Sequence, residues 1–495
     1  MTLLLPIIIP LLYLIFALFK FNFKWRQRMA VVAAALNFLA ALHILFQVEG
    51  QGMQKIQMGS WPAPYGITML ADHFCAIMLV TAAFLYLMFT IYSIQAIDRQ
   101  RRENGFYFFS FGVIMGVNGS FLAADIFNLY VWFEVMLMSS FILMSFGNSR
   151  KQLEGSIKYL ILNIISSFFF VAGIGLLYGK MGTLNMADLS QKIAASKESL
   201  AIINPALILI FVGFSIKSAL FPFFFWLPAS YHTPPPAITA LFAALLTKVG
   251  IYSLIRFYSL YLYHDMGFWN PLILTFGVLS MVIGVFTATS QYDFSKVLSF
   301  HIISQIGYVV MALGFFTVAG LTGAIFFLVH NMLSKTLAYL VAGYVHQQKG
   351  TLSLKKLGDI YREQPIWGIL FLVAGFSLAG FPPLSGFVAK YLVLKAGIEA
   401  GYTTITIIAL FVGLFTLFSM VKIWLEAFWK PRPELRPLQP RCHPPQSNTM
   451  LFAAIMLGVA IVVMGSWAQP MIDLCRTAAE QLMAPQQYIN FVMGH

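Results

Sequence analysis

The sequence predicts an all-α protein that crosses a membrane about 14 times, and three observations predict it. The chain has 495 residues, of which 59% are hydrophobic and only 10% charged. A water-soluble chain of this length needs far more charged surface, so the composition belongs to the membrane class. Apolar runs of about 20 residues, the length a helix needs to cross hydrocarbon, recur from end to end. Basic residues fall in alternate loops, as in polytopic membrane proteins.

The expected spans lie near 2–20, 29–48, 69–93, 105–123, 126–147, 155–179 and 203–226. They continue near 236–257, 269–289, 299–316, 319–346, 365–399, 403–428 and 450–467. Ten-residue strands of alternating polarity are absent, which argues against a β-barrel. The whole chain, 1–495, reads as a single membrane domain, with a long loop at 180–202 and a mixed tail at 470–495 expected to lie along the surface.

The net charge of +13 is placed in a telling way. Lys20, Lys24, Arg26 and Arg28 follow the first span, Arg99, Arg101 and Arg102 the third, and Arg150 and Lys151 the fifth. Lys349, Lys355, Lys356 and Arg362 precede the twelfth, and Lys430, Arg432, Arg436 and Arg441 follow the thirteenth. The positive-inside rule puts these loops in the cytoplasm and both termini outside. That placement makes the charge a topology signal and not a nucleic-acid site. The cysteines Cys75, Cys442 and Cys475 form no disulfide framework or metal spacing, and Cys442-His443 reads as loop. The N-terminus lacks the basic leader and small-residue cleavage site of a signal peptide.

Two spans carry helix breakers beside a lysine. In one, Lys217 precedes Pro222 and Pro228; in the other, Gly380, Pro382, Pro383 and Gly386 precede Lys390. Proline removes a backbone donor and clashes with the preceding turn. At membrane depth such breaks are tolerated only against protein or a water-lined cavity. The breaks lie five spans apart, so the two halves enter the membrane from opposite sides. This predicts two inverted five-helix repeats, spans 4–8 and 9–13, covering 105–257 and 269–428.

Ionisable groups at membrane depth are costly and mark ion pathways. Glu134, Lys217, Lys248, His330, Lys335 and Lys390 fall mid-span, and His301 falls near a span end. Burial disfavours a lysine's charged form and a nearby carboxylate restores it, so a lysine with a movable partner can act as a proton switch. Histidine titrates near neutrality and can relay a proton. Asn163, Ser166, Ser167, Thr247, Ser304, Gln305 and Ser334 suit either water binding or bonds between helices. Lys395–Glu399 and Lys422–Glu426 are i,i+4 pairs near span ends, which suits self-neutralising or snorkelling side chains. Asp72, Asp125 and Arg256 read as anchors or entry-side groups. Nucleotide fingerprints, metal-ligand clusters and catalytic triads are missing from the sequence, so no cofactor and no enzymatic chemistry are expected.

These residues carry a resemblance. The segments around Glu134, Lys217–Pro222, Trp226–Pro228 with Pro235-Pro236, Leu246–Gly250, His330–Lys335 and Phe381–Phe387 are similar to the proton-conducting antiporter-like family. That family is shared by Mrp-type antiporters and the membrane arm of respiratory complex I. The resemblance implies fourteen helices, an inverted repeat and a charged central axis. In it Glu134 would modulate Lys217, Lys248 would connect the halves, and His330, Lys335 and Lys390 would continue the route. Gly155–Ser167 and Gly182–Leu189 resemble the D-type subunits of Mrp antiporters. Ala229 replaces the acidic residue, and Lys390 the glutamate, usual in M-type complex I subunits.

The resemblance implies a subunit coupling proton entry to Na+ export, with partners of the A, B, C, E, F and G types. The alternatives are an N- or M-like proton-pumping subunit of a quinone oxidoreductase, or a passive scaffold. Lys217 precedes its break whereas Lys390 follows its own, so the repeat looks imperfect at its central residues.

Overall fold

The computed structural model describes residues 2–19, 22–147, 149–195, 200–261, 264–431 and 448–494. Lys20, Arg432, Arg436, Arg441, Cys442 and His443, named above, lie outside the described residues. In chain order the elements begin with α1 (Leu5–Leu18), α2 (Phe23–Gln51), β1 (Gln54–Gln57), β2 (Thr68–Ala71), α3 (His73–Ala96) and α4 (Arg99–Glu103). Next come α5 (Phe106–Leu122), α6 (Ile126–Ser145), α7 (Arg150–Met181), α8 (Met186–Ala195), α9 (Leu200–Ser218), α10 (Trp226–Ser230) and α11 (Pro236–Ser259). The second half contains α12 (Met266–Ser290), α13 (Phe294–Phe315), α14 (Val318–Lys349), α15 (Ile360–Glu363), α16 (Pro365–Ala379) and α17 (Ser385–Glu399). It ends with α18 (Thr403–Ile423), α19 (Asn448–Ser466), α20 (Gln469–Met483) and α21 (Pro485–Met493).

Among the described residues, ten helices are long and apolar enough to cross a membrane, and four shorter apolar helices accompany them. Helices that are apolar on every side must be enclosed by others. The most apolar stretches of α11, α13 and α14 are accordingly 100% buried, and these three form the centre. In α2, α6, α7, α12, α18 and α19 only 33–44% of that stretch is buried. Their outer rows, such as Ile161 and Phe168 on α7 or Leu414 and Phe418 on α18, are exposed apolar surface suited to lipid.

Small residues let α12 and α13 pack backbone to backbone. A Cβ on Gly307 of α13 would lie 2.4 Å from the Met281 nitrogen of α12, and one on Gly284 would lie 2.6 Å from the Ser304 nitrogen. Any side chain there would force the two backbones apart. Helix starts are fixed by side-chain caps, which satisfy otherwise unpaired amides. Asp72 accepts from the Cys75 amide at 2.9 Å, Asp125 from Asn128 at 2.8 Å, and Asp293 from Lys296 at 3.0 Å.

The basic loops meet at one end of the bundle. There the Arg101 Nε donates to the Phe146 carbonyl at 2.9 Å, the Gln347 amide to Ala96 at 3.0 Å, and Lys349 pairs with Glu363 at 2.5 Å. At the opposite end β1 and β2 form an antiparallel hairpin, with Gln54 opposite Ala71. The sequence reading missed this hairpin because its two strands are only four residues each.

Other boundaries also differ. The run 365–399 is two helices, α16 and α17, because Gly380 takes φ 90° and ends the first. The run 203–226 stops at Ser218. The loop at 180–202 contains α8. The tail folds into α20 and α21, whose apolar faces, including Cys475, Leu482, Tyr488 and Ile489, are buried against the bundle.

Candidate functional site: a buried row of amines

The first group sits where α6, α7 and α9 meet. Glu134 projects from mid-α6 and is half-buried. The Ser167 hydroxyl of α7 donates a short hydrogen bond to the Glu134 Oε1. Lys217 Nζ donates to that same Ser167 oxygen at 3.4 Å and lies 5.6 Å from the centre of the Phe133 ring. Glu134 and Lys217 are therefore linked through a hydroxyl, not by direct contact. Neighbouring Ser166 instead donates to the Gly213 carbonyl at 2.8 Å and ties α7 to α9.

Lys217 occupies the last turn of α9, where the helix dipole favours a cation. The chain then leaves helical geometry: Ala219 has φ 56°, and the Phe221 amide donates to Ser280 of α12 at 2.8 Å. Lys390 looks different in sequence, since it follows its break. In space its Nζ donates to the Ala379 carbonyl at 2.7 Å, the last residue of α16. Lys390 thus meets the C-terminal end of the helix before its break, whereas Lys217 sits in the last turn of α9 and bonds Ser167 of α7. Lys390 also lies 5.5 Å from the Tyr308 ring centre. It forms part of a 300 Å³ cleft in the bundle wall, with Phe381, Tyr391 and Leu414 around it.

Lys248 and Lys335 lie in the fully enclosed centre. Lys248 Nζ donates to the Ala243 carbonyl at 2.5 Å on its own helix, and Lys335 Nζ donates across to Leu298 of α13 at 3.2 Å. Close packing joins this centre to the first break: a Cβ on Gly250 would lie 2.5 Å from the Ser218 oxygen. Lys335 is within electrostatic reach of Lys248, and His330 within reach of Lys335 and Lys390. His330 Nδ1 meets the Ser385 hydroxyl at 2.9 Å, with Ser334 at 3.3 Å and Ser377 at 3.4 Å. His301, expected near a span end, is wholly buried, and its Nε2 meets Ser419 at 2.5 Å.

Among the described residues, none of these four lysines has a carboxylate within 4.0 Å. Among the described residues, several buried polar atoms on α9, α11, α13 and α14 have no protein partner. They include Ser215, Ser218 and Thr247 hydroxyls, both amide atoms of Gln305 and Asn331, and one ring nitrogen each of His301 and His330. Buried polar groups need hydrogen bonds, so this lining is suited to a chain of waters.

One expected pairing needs correction. Lys422 and Glu426 do not pair: Lys422 donates to the Thr289 and Gln291 carbonyls at 2.6 and 2.7 Å, while Glu426 pairs with Lys430. Asp72 and Arg256, read as anchors or entry-side groups, form a buried ion pair, with Nη2 to Oδ1 at 2.6 Å. Tyr252 and Tyr488 flank the guanidinium, and the Arg256 Nη2 donates to the Tyr252 hydroxyl at 3.1 Å. The two residues are 184 positions apart, and no local spacing signals their meeting. Lys395 and Glu399 do pair, at 3.7 Å on an exposed face.

A many-helix membrane chain with several buried amines, broken helices and a half-buried carboxylate defines a class of polytopic membrane protein. Residues 123–416 match the family described as NADH:quinone oxidoreductase/Mrp antiporter, transmembrane, and the chain belongs to that family. It is 38% identical to the D-type subunit of the Na+/H+ antiporter of Alkalihalophilus pseudofirmus, over 99% of this chain and 98% of the relative. It is 37% identical to the corresponding Na+/H+ antiporter chain, also D-type, of Bacillus subtilis, over 99% and 98%. A chain in the solved Mrp complex of Dietzia sp. DQ12-45-1b superposes with a TM-score of 0.92 at 27% identity, over 100% of this chain and 99% of that one.

Proposed function

We propose that this chain is the D-type, proton-translocating subunit of a multisubunit Na+/H+ antiporter, acting with partner subunits in a bacterial inner membrane. The supporting observation is the linked group Glu134–Ser167–Lys217 beside the break after α9, continued by a row of buried amines into the second half. Fourteen spans, two inverted repeats at 105–257 and 269–428, and broken helices at Pro222 and at Pro382 and Pro383 form the frame of this reading. The basic end faces the cytoplasm and both termini face outward.

In this reading protons travel along Glu134, Lys217, Lys248, Lys335, His330 and Lys390, with waters filling the gaps between them. Lys217 is the switch. Burial disfavours its ammonium and a nearby carboxylate favours it, so a small change at the Ser167 bridge decides whether it holds a proton. Such a motion is effective because the site excludes bulk water and its screening. Hard cations need several oxygen ligands, and one half-buried carboxylate makes a poor Na+ cage. Na+ therefore crosses in a partner subunit. The test is Na+-driven proton exchange in inverted vesicles carrying the whole complex. Glu134→Ala abolishes exchange while the complex still assembles, and Glu134→Asp keeps part of it. Parental exchange with Glu134→Ala makes the carboxylate structural.

A further inference from the structure

The second broken span gathers serine hydroxyls around one imidazole. The first half, α16, ends at Ala379, and the second, α17, starts at Ser385. The two ends pass very close to each other and to α14. A Cβ on Gly386 would lie 1.6 Å from the Ser377 carbonyl oxygen and 2.8 Å from the His330 Cε1. Glycine permits this approach, and the break brings Ser377 from one side and Ser385 from the other onto His330.

Ser377 is the hub. Its hydroxyl oxygen lies 3.2 Å from the Ser385 hydroxyl and 3.4 Å from the His330 Nδ1. It also accepts from the Ser334 hydroxyl and from the Gly386 amide, each at 3.3 Å. Ser385 makes the shortest contact with the ring, 2.9 Å to the same Nδ1. Ser334, Ser377 and Ser385 are 0% exposed and His330 is 1% exposed, so bulk water cannot replace a lost partner. The other ring nitrogen differs. Among the described residues, Nε2 has no protein partner, and the Phe327 ring stands edge-on at 5.7 Å. The imidazole is thus held by one nitrogen and open at the other. A histidine can keep a hydrogen on one nitrogen while the other gains and loses a proton.

We propose that Ser377 and Ser385 are positioning residues for His330, holding Nδ1–H from the two sides of the break and leaving Nε2 as the atom that takes up and releases the transported proton. Nδ1 keeps its hydrogen throughout, and the serine oxygens accept from it in both states. The proton arrives at Nε2 and leaves from Nε2, so the ring ends as it began. Because one hydroxyl belongs to α16 and the other to α17, a change in the angle of the break moves the ring and alters the reach of Nε2. The proposal rests on the reading of His330 as a proton carrier.

Variants of the complete complex, assayed by Na+-driven proton exchange in inverted vesicles, test it. Ser385→Ala removes the shortest contact with the ring and leaves the Ser377–Gly386 bond intact; Ser377→Ala removes the hub. Each is expected to lower the maximal rate at least about tenfold, the scale of loss a misplaced reacting group causes. The Na+ concentration for half-maximal exchange should stay parental, and the solvent deuterium isotope effect should rise as transfer at the displaced ring becomes the slow step. Both hydroxyls act through one ring, so the double variant should be no slower than the slower single one. Ser120→Ala is the packing control: Ser120 is also 0% exposed, but its hydroxyl donates to the Gly116 carbonyl at 2.8 Å within α5. It should exchange at the parental rate. Equal losses in Ser120→Ala and Ser385→Ala, an unchanged isotope effect, or failure of Ser385→Ala to assemble would make the hydroxyls structural and overturn the proposal. His330→Ala separates the two levels. If it is inactive while Ser377→Ala and Ser385→Ala are parental, the positioning role is wrong and His330 stands as a carrier. If His330→Ala itself exchanges normally, the carrier role falls, and the positioning role with it.

Discussion

Ser167→Ala isolates the contact on which the proposed switch depends. The hydroxyl donates to Glu134 and accepts from Lys217 at 3.4 Å, and alanine removes both bonds while changing side-chain volume little. A hydrogen bond to a charged group contributes about 1.5–3 kcal/mol. The long Lys217 contact adds little to the short Glu134 one, which favours the lower part of that range, about 1.5–2 kcal/mol. Each 1.4 kcal/mol is tenfold in rate, so exchange should fall about 10- to 30-fold. The assay is Na+-driven dequenching of a pH-sensitive dye in inverted vesicles, with recovery of the intact complex by affinity purification as the assembly check. Ser167→Thr keeps the hydroxyl and should stay within about threefold of parental, given the modest cost of an added methyl group. Ser166→Ala breaks only the bond to Gly213 and should behave like Ser167→Thr. If Ser167→Ala exchanges at the parental rate, Glu134 and Lys217 communicate by another route and the bridge is incidental.

Three more outcomes follow from the geometry. Lys217→Arg holds a charge that cannot be released near neutral pH, so the complex should assemble and yet fail to exchange; normal exchange would show that a permanent charge is sufficient. Lys390→Ala should stop exchange in the same assay, whereas Lys395→Ala should change it less than twofold, because its exposed pair with Glu399 contributes at most about 1 kcal/mol. Arg256→Met strands Asp72 without its buried partner and should destabilise the fold by about 3–5 kcal/mol, seen as a lower Tm of the purified complex in detergent. Replacing both, as Asp72→Leu with Arg256→Met, should recover most of that loss; no recovery would mean that Arg256 matters chiefly for its contacts with Tyr252 and Tyr488.

Much of this was legible in the sequence, because the membrane makes composition and charge placement unusually informative. Most long apolar runs match helices, with 203–226 cut short and 365–399 divided, and the rarity of charge at depth marks Glu134, Lys217, Lys248, His330, Lys335 and Lys390 as candidates without any structure. What sequence spacing cannot supply is the partner across a helix interface. Ser167, 33 residues from Glu134, was indistinguishable from Ser166 one position away, yet only Ser167 turns toward the carboxylate. Asp72 and Arg256 join opposite stretches of chain, and Tyr339 meets Ser299 through the packing of α14 on α13. That Lys390, which follows its break in sequence, reaches back across it to the carbonyl of Ala379 is likewise visible only in three dimensions. The pairing of Lys422 with Glu426 fails for a related reason: an i,i+4 carboxylate was available, but Lys422 instead meets the carbonyls of Thr289 and Gln291 near the end of α12.

The central claim is that one proton route crosses both halves of the chain. Lys248 is the residue that tests it most directly, since it lies fully buried on α11 between the first broken span and the Lys335 centre. Lys248→Ala in the complete complex, assayed for Na+-driven proton exchange in inverted vesicles, is predicted to assemble normally and to lose exchange altogether. Exchange at the parental rate from the assembled variant would contradict a continuous route and confine proton movement to one half.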